Sequence, residues 1–187
     1  MFSRNLRFPS EQKMTTTQTN KSGSMQKISH TFEYLVYNSS AELEPGDKEL
    51  LEKARQAVSS SHAPYSRYHV GAAARLANGS VFLGSNQENI SFPAGLCAER
   101  VAVFAAASAF PDVPVSAIAV TAKADTFEVS EPVSPCGLCR QAIVEYEMKF
   151  GNRIRLILGG QNGKVFIVEG MGTLLPLTFQ EKGLKKT

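Results

Sequence analysis

The sequence has little that would suit a secreted, membrane or nucleic-acid-bound life. It carries only three cysteines and three histidines in 187 residues. An odd number of cysteines is no framework for paired disulfides, and it fits a reducing compartment. No apolar run approaches the ~20 residues that a membrane span needs. The N-terminus has no apolar core of a secretory signal, so a cytoplasmic protein is expected. Charge of either sign is also weak. The formal net charge is +3, and the basic residues are scattered, which argues against nucleic acid as an obligate partner. What remains is ordinary globular composition, 43% hydrophobic and 20% charged, in a chain long enough for one domain with a real core.

Residues 1–24 read as a disordered tail. The polar run from Thr15 to Ser24 cannot bury a face. Gly23-Ser24 before Met25 fits a cloning scar ahead of a native start, and Arg4, Arg7 and the serines also permit a transit-peptide reading. The folded domain is expected over residues 25–187. His30, Phe32, Tyr34 and Val36 alternate, so residues 28–37 read as an edge strand. Pro45-Gly46-Asp47 opens a helix with Asp47 as its N-cap, and Leu50, Leu51, Ala54, Ala57 and Val58 give it one apolar face.

Val70 to Leu76 suits a strand buried on both faces. Asn78-Gly79 signals a hairpin, with Val81-Phe82-Leu83 as its return. An alanine-rich helix follows from Cys97 to about Ala109, where Pro111 stops it. A strand over Val115 to Thr121, a helix from Cys136 to Phe150 ended by Gly151, and strands over Ile154–Leu158 and Val165–Val168 complete the pattern. Alternating strands and helices imply an α/β fold, a three-layer α-β-α sandwich around a mixed five-stranded sheet, with the N-terminal strand added at its edge.

The chemistry concentrates in two stretches, Cys97-Ala98-Glu99-Arg100 and Ser134-Pro135-Cys136-Gly137-Leu138-Cys139-Arg140-Gln141. They hold every cysteine. Zinc takes thiolates in a tetrahedron, and a catalytic site leaves the fourth position to water. Cys136 and Cys139, three apart at a helix start, place both sulfurs on one side of the first turn. Unpaired N–H groups and the helix dipole there favour thiolates. Glu99 is then the proton carrier. Positions 97 and 99 are about 200° apart on a regular helix, so Cys97 has to sit at or before the N-cap for both to face one pocket. Three thiolates leave the site net negative, which makes Arg100 and Arg140 candidates for hydrogen bonds to sulfur.

Each element also has a plainer reading. A lone Cys-x-x-Cys suits a redox pair or half of a structural zinc site, but no fourth cysteine is present to close one. His62 and His69 show no paired ligand spacing. A glutamate in a first helical turn often only complements the dipole. The combination of Cys-x-Glu with Pro-Cys-x-x-Cys downstream is far more specific, being a known arrangement of zinc deaminases.

On these motifs, together with Ala63-Pro64-Tyr65-Ser66, Val70-Gly71-Ala72-Ala73, Asn86-Gln87-Glu88-Asn89, Leu174-Leu175-Pro176 and Phe179, the chain resembles the cytidine deaminase family of the small, all-cysteine type. The resemblance covers residues 50–179. It implies one Zn2+ per subunit on Cys97, Cys136 and Cys139, with Glu99 as proton shuttle. It implies ribose contacts from Asn86 and Glu88, and base-edge contacts from the Ala98 backbone. Tyr68 replaces the family's usual phenylalanine against the pyrimidine ring, keeping the stacking face but adding a hydroxyl. Gln141 would lie near the ligands. The family's homotetramer implies pockets completed by neighbouring subunits, through Phe179 and at a junction holding Phe92. The implied reaction is deamination of cytidine and 2′-deoxycytidine in pyrimidine salvage. A blasticidin S type deaminase, a nucleic-acid-editing enzyme and a non-catalytic zinc-stabilised module are the competing readings. The Asn86/Glu88 pair, Arg100 and Gln141 favour the nucleoside enzyme, and no basic-aromatic groove supports editing.

Overall fold

A computed structural model describes residues 15–16, 27–181 and 184 of the chain. It divides into two compact units, Met1–Glu33 and Tyr34–Thr187. In the first, strands β1 (Thr15–Thr16) and β2 (Ile28–Ser29) pair antiparallel. The expected tail otherwise lies outside the described residues. The second unit, from Tyr34, holds the site.

Six strands build the main sheet: β3 (Leu35–Tyr37), β4 (Tyr68–Leu76), β5 (Val81–Ser85), β6 (Val115–Ala124), β7 (Arg155–Gly159) and β8 (Val165–Glu169). Their order is β3-β8-β7-β6-β4-β5. Only β6 and β7 run parallel, joined by a crossover through helix α3 (Gly137–Phe150); antiparallel pairs elsewhere need no such connection. Five strands with an added N-terminal edge strand is the expected sheet. The edge strand is shorter than residues 28–37, because Ile28–Ser29 pair with β1 and only Leu35–Tyr37 pair with β8.

Strand alternation sorts the core into two layers. Ala73, Ala117, Ala119, Ile157, Val165 and Ile167 face helix α1 (Pro45–Ala57) through Leu50, Leu51 and Ala54. Ala72, Ala74, Leu76, Ile118, Val120, Leu156 and Leu158 face the other way, against helix α2 (Ala98–Ala109) and α3. Small residues set the spacing. A Cβ on Gly71 would lie 2.1 Å from the Ala54 carbonyl oxygen, and one on Gly84 would lie 2.3 Å from that of Ala98. The helices therefore press directly on β4 and β5.

The hairpin turns carry Gly79 and Gly163 at positive φ, +86° and +82°, and Gly151 ends α3 at φ 65°. Asp47 corrects one expectation. Glu44 occupies the N-cap of α1 without a side-chain cap bond and Pro45 opens the helix. Asp47 instead lies buried in the first turn and accepts from Arg155 Nη2 and Nε at 2.8 and 2.9 Å. A charged partner on β7 outweighs a local cap, because it neutralises a carboxylate that burial would otherwise penalise.

Candidate metal centre and active site

Two helix starts meet on the same face of the sheet. Cys97 is the N-cap of α2, with extended backbone (φ −74°, ψ 152°), and Cys136 is the N-cap of α3 (φ −68°, ψ 170°). Cys139 follows within the first turn of α3 and is fully buried. Cys97 thus stands outside the helical register, which is the condition for Glu99 to share its pocket.

The sulfurs converge. Cys97 Sγ lies 3.8 Å from Cys136 Sγ, and Cys136 Sγ lies 3.6 Å from Cys139 Sγ. All three are within 4.8 Å of one another. Tetrahedral zinc with bonds of ~2.3 Å spaces its sulfurs about 3.8 Å apart, so the residues present fit that ion. Among the described residues this group has three ligands and no fourth.

The electrostatics are those of a crowded thiol cluster. A hydrogen bond from Cys139 brings the Cys97 thiol down to about 5 despite burial, with Arg100 adding to the effect. Cys139 is pushed up by donating that bond and by its burial. Arg100 Nη2 lies 3.9 Å from Cys97 Sγ and donates to the Gly95 carbonyl at 3.3 Å. Arg140 differs. Its Nε donates to the Pro135 carbonyl and its Nη1 to the Leu174 carbonyl, both at 2.8 Å, so it ties the Cys136 loop to the C-terminal segment rather than reaching sulfur. Gln141 Nε2 likewise donates to the Phe179 carbonyl at 3.1 Å.

Glu99 is 4% exposed, and burial raises its carboxyl above the ordinary value. The Cys97 charge reinforces this, while a hydrogen bond from Cys139 and the charge of Arg100 oppose it. The carboxyl is thus close enough to the cluster to feel the Cys97 and Cys139 sulfurs.

The 86–89 loop lies at the end of β5. Asn86 spans one residue of β4, its Oδ1 accepting from Val70 N–H at 2.8 Å and its Nδ2 donating to the Tyr68 carbonyl at 2.9 Å. Glu88 Oε2 accepts from the N–H groups of Tyr65 and Ser66 at 2.9 and 3.2 Å. The Ser66 hydroxyl and these amides hold the Glu88 carboxyl below its usual range. Both side chains retain hydrogen-bonding capacity: the amide has a second lone pair and a second N–H, and the carboxylate has further acceptor sites. Tyr68 is half-buried, and alternation along β4 points it to the α2/α3 face. Phe92 and Phe179 are 74% and 71% exposed. Phe92 meets Tyr65 edge-on with ring centroids 5.8 Å apart.

Sequence reasoning did not find two groups. The Tyr65 and Ser66 amides act through the backbone, which side-chain identity does not reveal. Phe127, a lone aromatic in a polar loop, stacks on Tyr68; its isolation between Thr126 and Glu128 was the available signal.

The family profile for the cytidine and deoxycytidylate deaminase zinc-binding region matches residues 45–150. The chain is 42% identical to a cytidine deaminase of Halalkalibacterium halodurans over 96 residues, covering 51% of this chain and 68% of that protein. It is 39% identical to one from Sporosarcina psychrophila over 99 residues, covering 53% and 68%. Among solved structures, the cytidine deaminase from Burkholderia pseudomallei matches with a TM-score of 0.62 at 35% identity, covering 73% of this chain and 100% of that one. That from Mycobacterium tuberculosis gives 0.54 at 30%, covering 71% and 96%.

Proposed function

The chain belongs to the cytidine and deoxycytidylate deaminase zinc-binding family, and on that premise we propose that it is a zinc-dependent cytidine deaminase of pyrimidine salvage. It hydrolyses cytidine and 2′-deoxycytidine to uridine and 2′-deoxyuridine and releases ammonia. One observation carries this reading: three sulfurs from two helix starts, spaced for a tetrahedral ion, with a buried glutamate in the first turn of one of those helices.

Zinc held by Cys97, Cys136 and Cys139 would supply Lewis acidity toward the attacking water. Glu99 takes a proton from that water and passes it to the ring nitrogen beside the amine. The water oxygen bonds to the carbon bearing the amine. Glu99 then carries the second proton to the departing nitrogen, the C–N bond breaks and ammonia leaves. Burial suits Glu99 to this work, because it raises the carboxyl above its ordinary value and so favours its holding the proton that it must pass on. Arg100 offsets the negative charge gathered on the sulfurs.

Substrate contacts come from the groups around this centre. Asn86 and Glu88 hold the ribose hydroxyls with the hydrogen-bonding capacity that their backbone bonds leave. Tyr68 offers its ring to the pyrimidine, and the Ala98 backbone meets the base edge. Gln141 acts near the ligands through the C-terminal segment that it holds. The assembly is a homotetramer whose neighbours complete each pocket, a reading supported by the exposure of Phe92 and Phe179. A cytoplasmic location follows from three free cysteines that must stay reduced. Among the described residues no helix is long and apolar enough to cross a membrane.

The deciding experiment measures zinc per chain and ammonia released from cytidine. One zinc per chain with ammonia release is expected. Zinc without deamination would overturn the reading and leave a metal-stabilised module. Sedimentation at four times the chain mass is the check on assembly.

A further inference from the structure

The loop between β6 and α3 carries an aromatic ring that the mechanism leaves unused. Phe127 is 60% exposed, yet its ring lies over Tyr68 with centroids 6.2 Å apart and planes 25° from parallel. The loop is tied on both sides of it. Asp125 N–H donates to the Arg67 carbonyl at 3.2 Å, and Asp125 Oδ1 lies 3.3 Å from His69 Nε2. Beyond it, Asn162 Nδ2 donates to Glu128 Oε1 at 3.1 Å, Gln161 N–H donates to the Val129 carbonyl at 2.6 Å, and Val129 is buried. A large apolar ring held this firmly at the surface is not explained by core packing, since it buries little of itself.

Its partner fixes where it stands. Tyr68 points to the α2/α3 face by strand alternation. Val70, on the same face, packs both against the cluster that includes Cys97 and against the cluster that includes Tyr68. The Asn86 amide bonds to the backbone of Tyr68 and of Val70. The ring pair therefore rises from the stretch of β4 that Asn86 holds, on the sheet face against which the helices bearing the sulfurs pack. The loop itself runs on into Pro135 and Cys136.

We propose that Phe127 is a specificity-determining residue of the nucleobase pocket. With Tyr68 it forms an aromatic wall that takes the flat face of an unsaturated six-membered base. The proposal rests on the nucleoside reading above. Offset stacking of this kind favours planar π systems and gains beyond buried area.

The test uses the full zinc-loaded chain. Phe127→Ala is expected to raise KM for cytidine roughly tenfold, with kcat and zinc content unchanged, and Phe127→Tyr is expected to restore the wild-type KM. The chain contains no tryptophan, so Phe127→Trp introduces a single emitter. In a Glu99→Gln background, added cytidine is expected to quench that emission. A wild-type KM in Phe127→Ala, or emission unmoved by cytidine above the wild-type KM, overturns the wall. Failure of the nucleoside reading looks different: the wild-type chain releases no ammonia from cytidine. The emission titration still decides whether a base lies against residue 127.

Discussion

Glu99 and Glu147 are both buried glutamates on the α2/α3 side of the molecule, and their partners separate their roles. Glu99 has thiols and an arginine around it. Glu147 accepts three backbone N–H groups, from Ile154 at 2.8 Å, Met171 at 2.7 Å and Gly172 at 3.2 Å, and so joins the end of α3 to β7 and to the turn after β8. Glu99→Gln is expected to fold and hold zinc while turnover falls roughly 10²- to 10⁴-fold, read as the loss of cytidine absorbance over time. Glu147→Ala is expected to cost about 3 kcal/mol, since two buried donors and a third, half-buried one lose their acceptor. A fall in melting temperature of roughly 10 °C in zinc-loaded protein would check it. Sequence separated these two only in part. Glu99 is legible from its spacing to Cys97. Glu147 is not, because its partners are backbone groups of segments remote in sequence. The same limit hid the role of Arg140, whose two carbonyl partners belong to Pro135 and Leu174.

At the scale of elements, the two glycines under the helices make a matched pair. Gly71 seats α1, which carries none of the proposed site residues, and Gly84 seats the first turn of α2, which carries Glu99 and follows directly on Cys97. A Cβ at either position meets backbone atoms, so a helix has to move; overpacking of this kind costs roughly 1–3 kcal/mol. Gly84→Ala is expected to weaken zinc binding and turnover together, because it moves Cys97 relative to Cys136. Gly71→Ala is expected to lower the melting temperature while the zinc content of the folded protein stays at the wild-type level. Zinc titration against a colorimetric chelator distinguishes the two. Hydrophobic periodicity and turn glycines made the helices and strands legible, with ends displaced by up to three residues except in the edge strand, where only Leu35–Tyr37 pair with β8. The N-cap of α1 is not legible in the sequence, because the Asp47–Arg155 pair is a contact between helix and sheet.

For the whole molecule, a metal held by Cys97, Cys136 and Cys139 would join two helices that are separate in sequence. Removing it by chelation is expected to abolish turnover and lower the melting temperature, with both restored by added zinc, since a ligand bound only by the folded chain stabilises it by mass action. The N-terminal region gives a second test. Deleting residues up to Glu33 is expected to leave zinc content and turnover intact, as the proposed site lies wholly within Tyr34–Thr187. Extending the deletion through Tyr37 removes β3 and bares the edge of β8. An unpaired edge invites pairing with other chains, so light scattering should then report aggregation.

Local sequence by itself determined the elements and singled out the three cysteines and the proposed proton carrier, because helix starts, turns and Cys-x-Glu spacing are encoded within a few residues of one another. The tertiary structure decided that Cys97 stands outside its helix, that its sulfur comes within 3.8 Å of Cys136, and that Phe127 rests on Tyr68. Those facts depend on how closely α2 and α3 pack on the sheet and on how the loop before Cys136 is tied. Close packing is a property of surfaces brought together from distant parts of the chain, and no local pattern contains it.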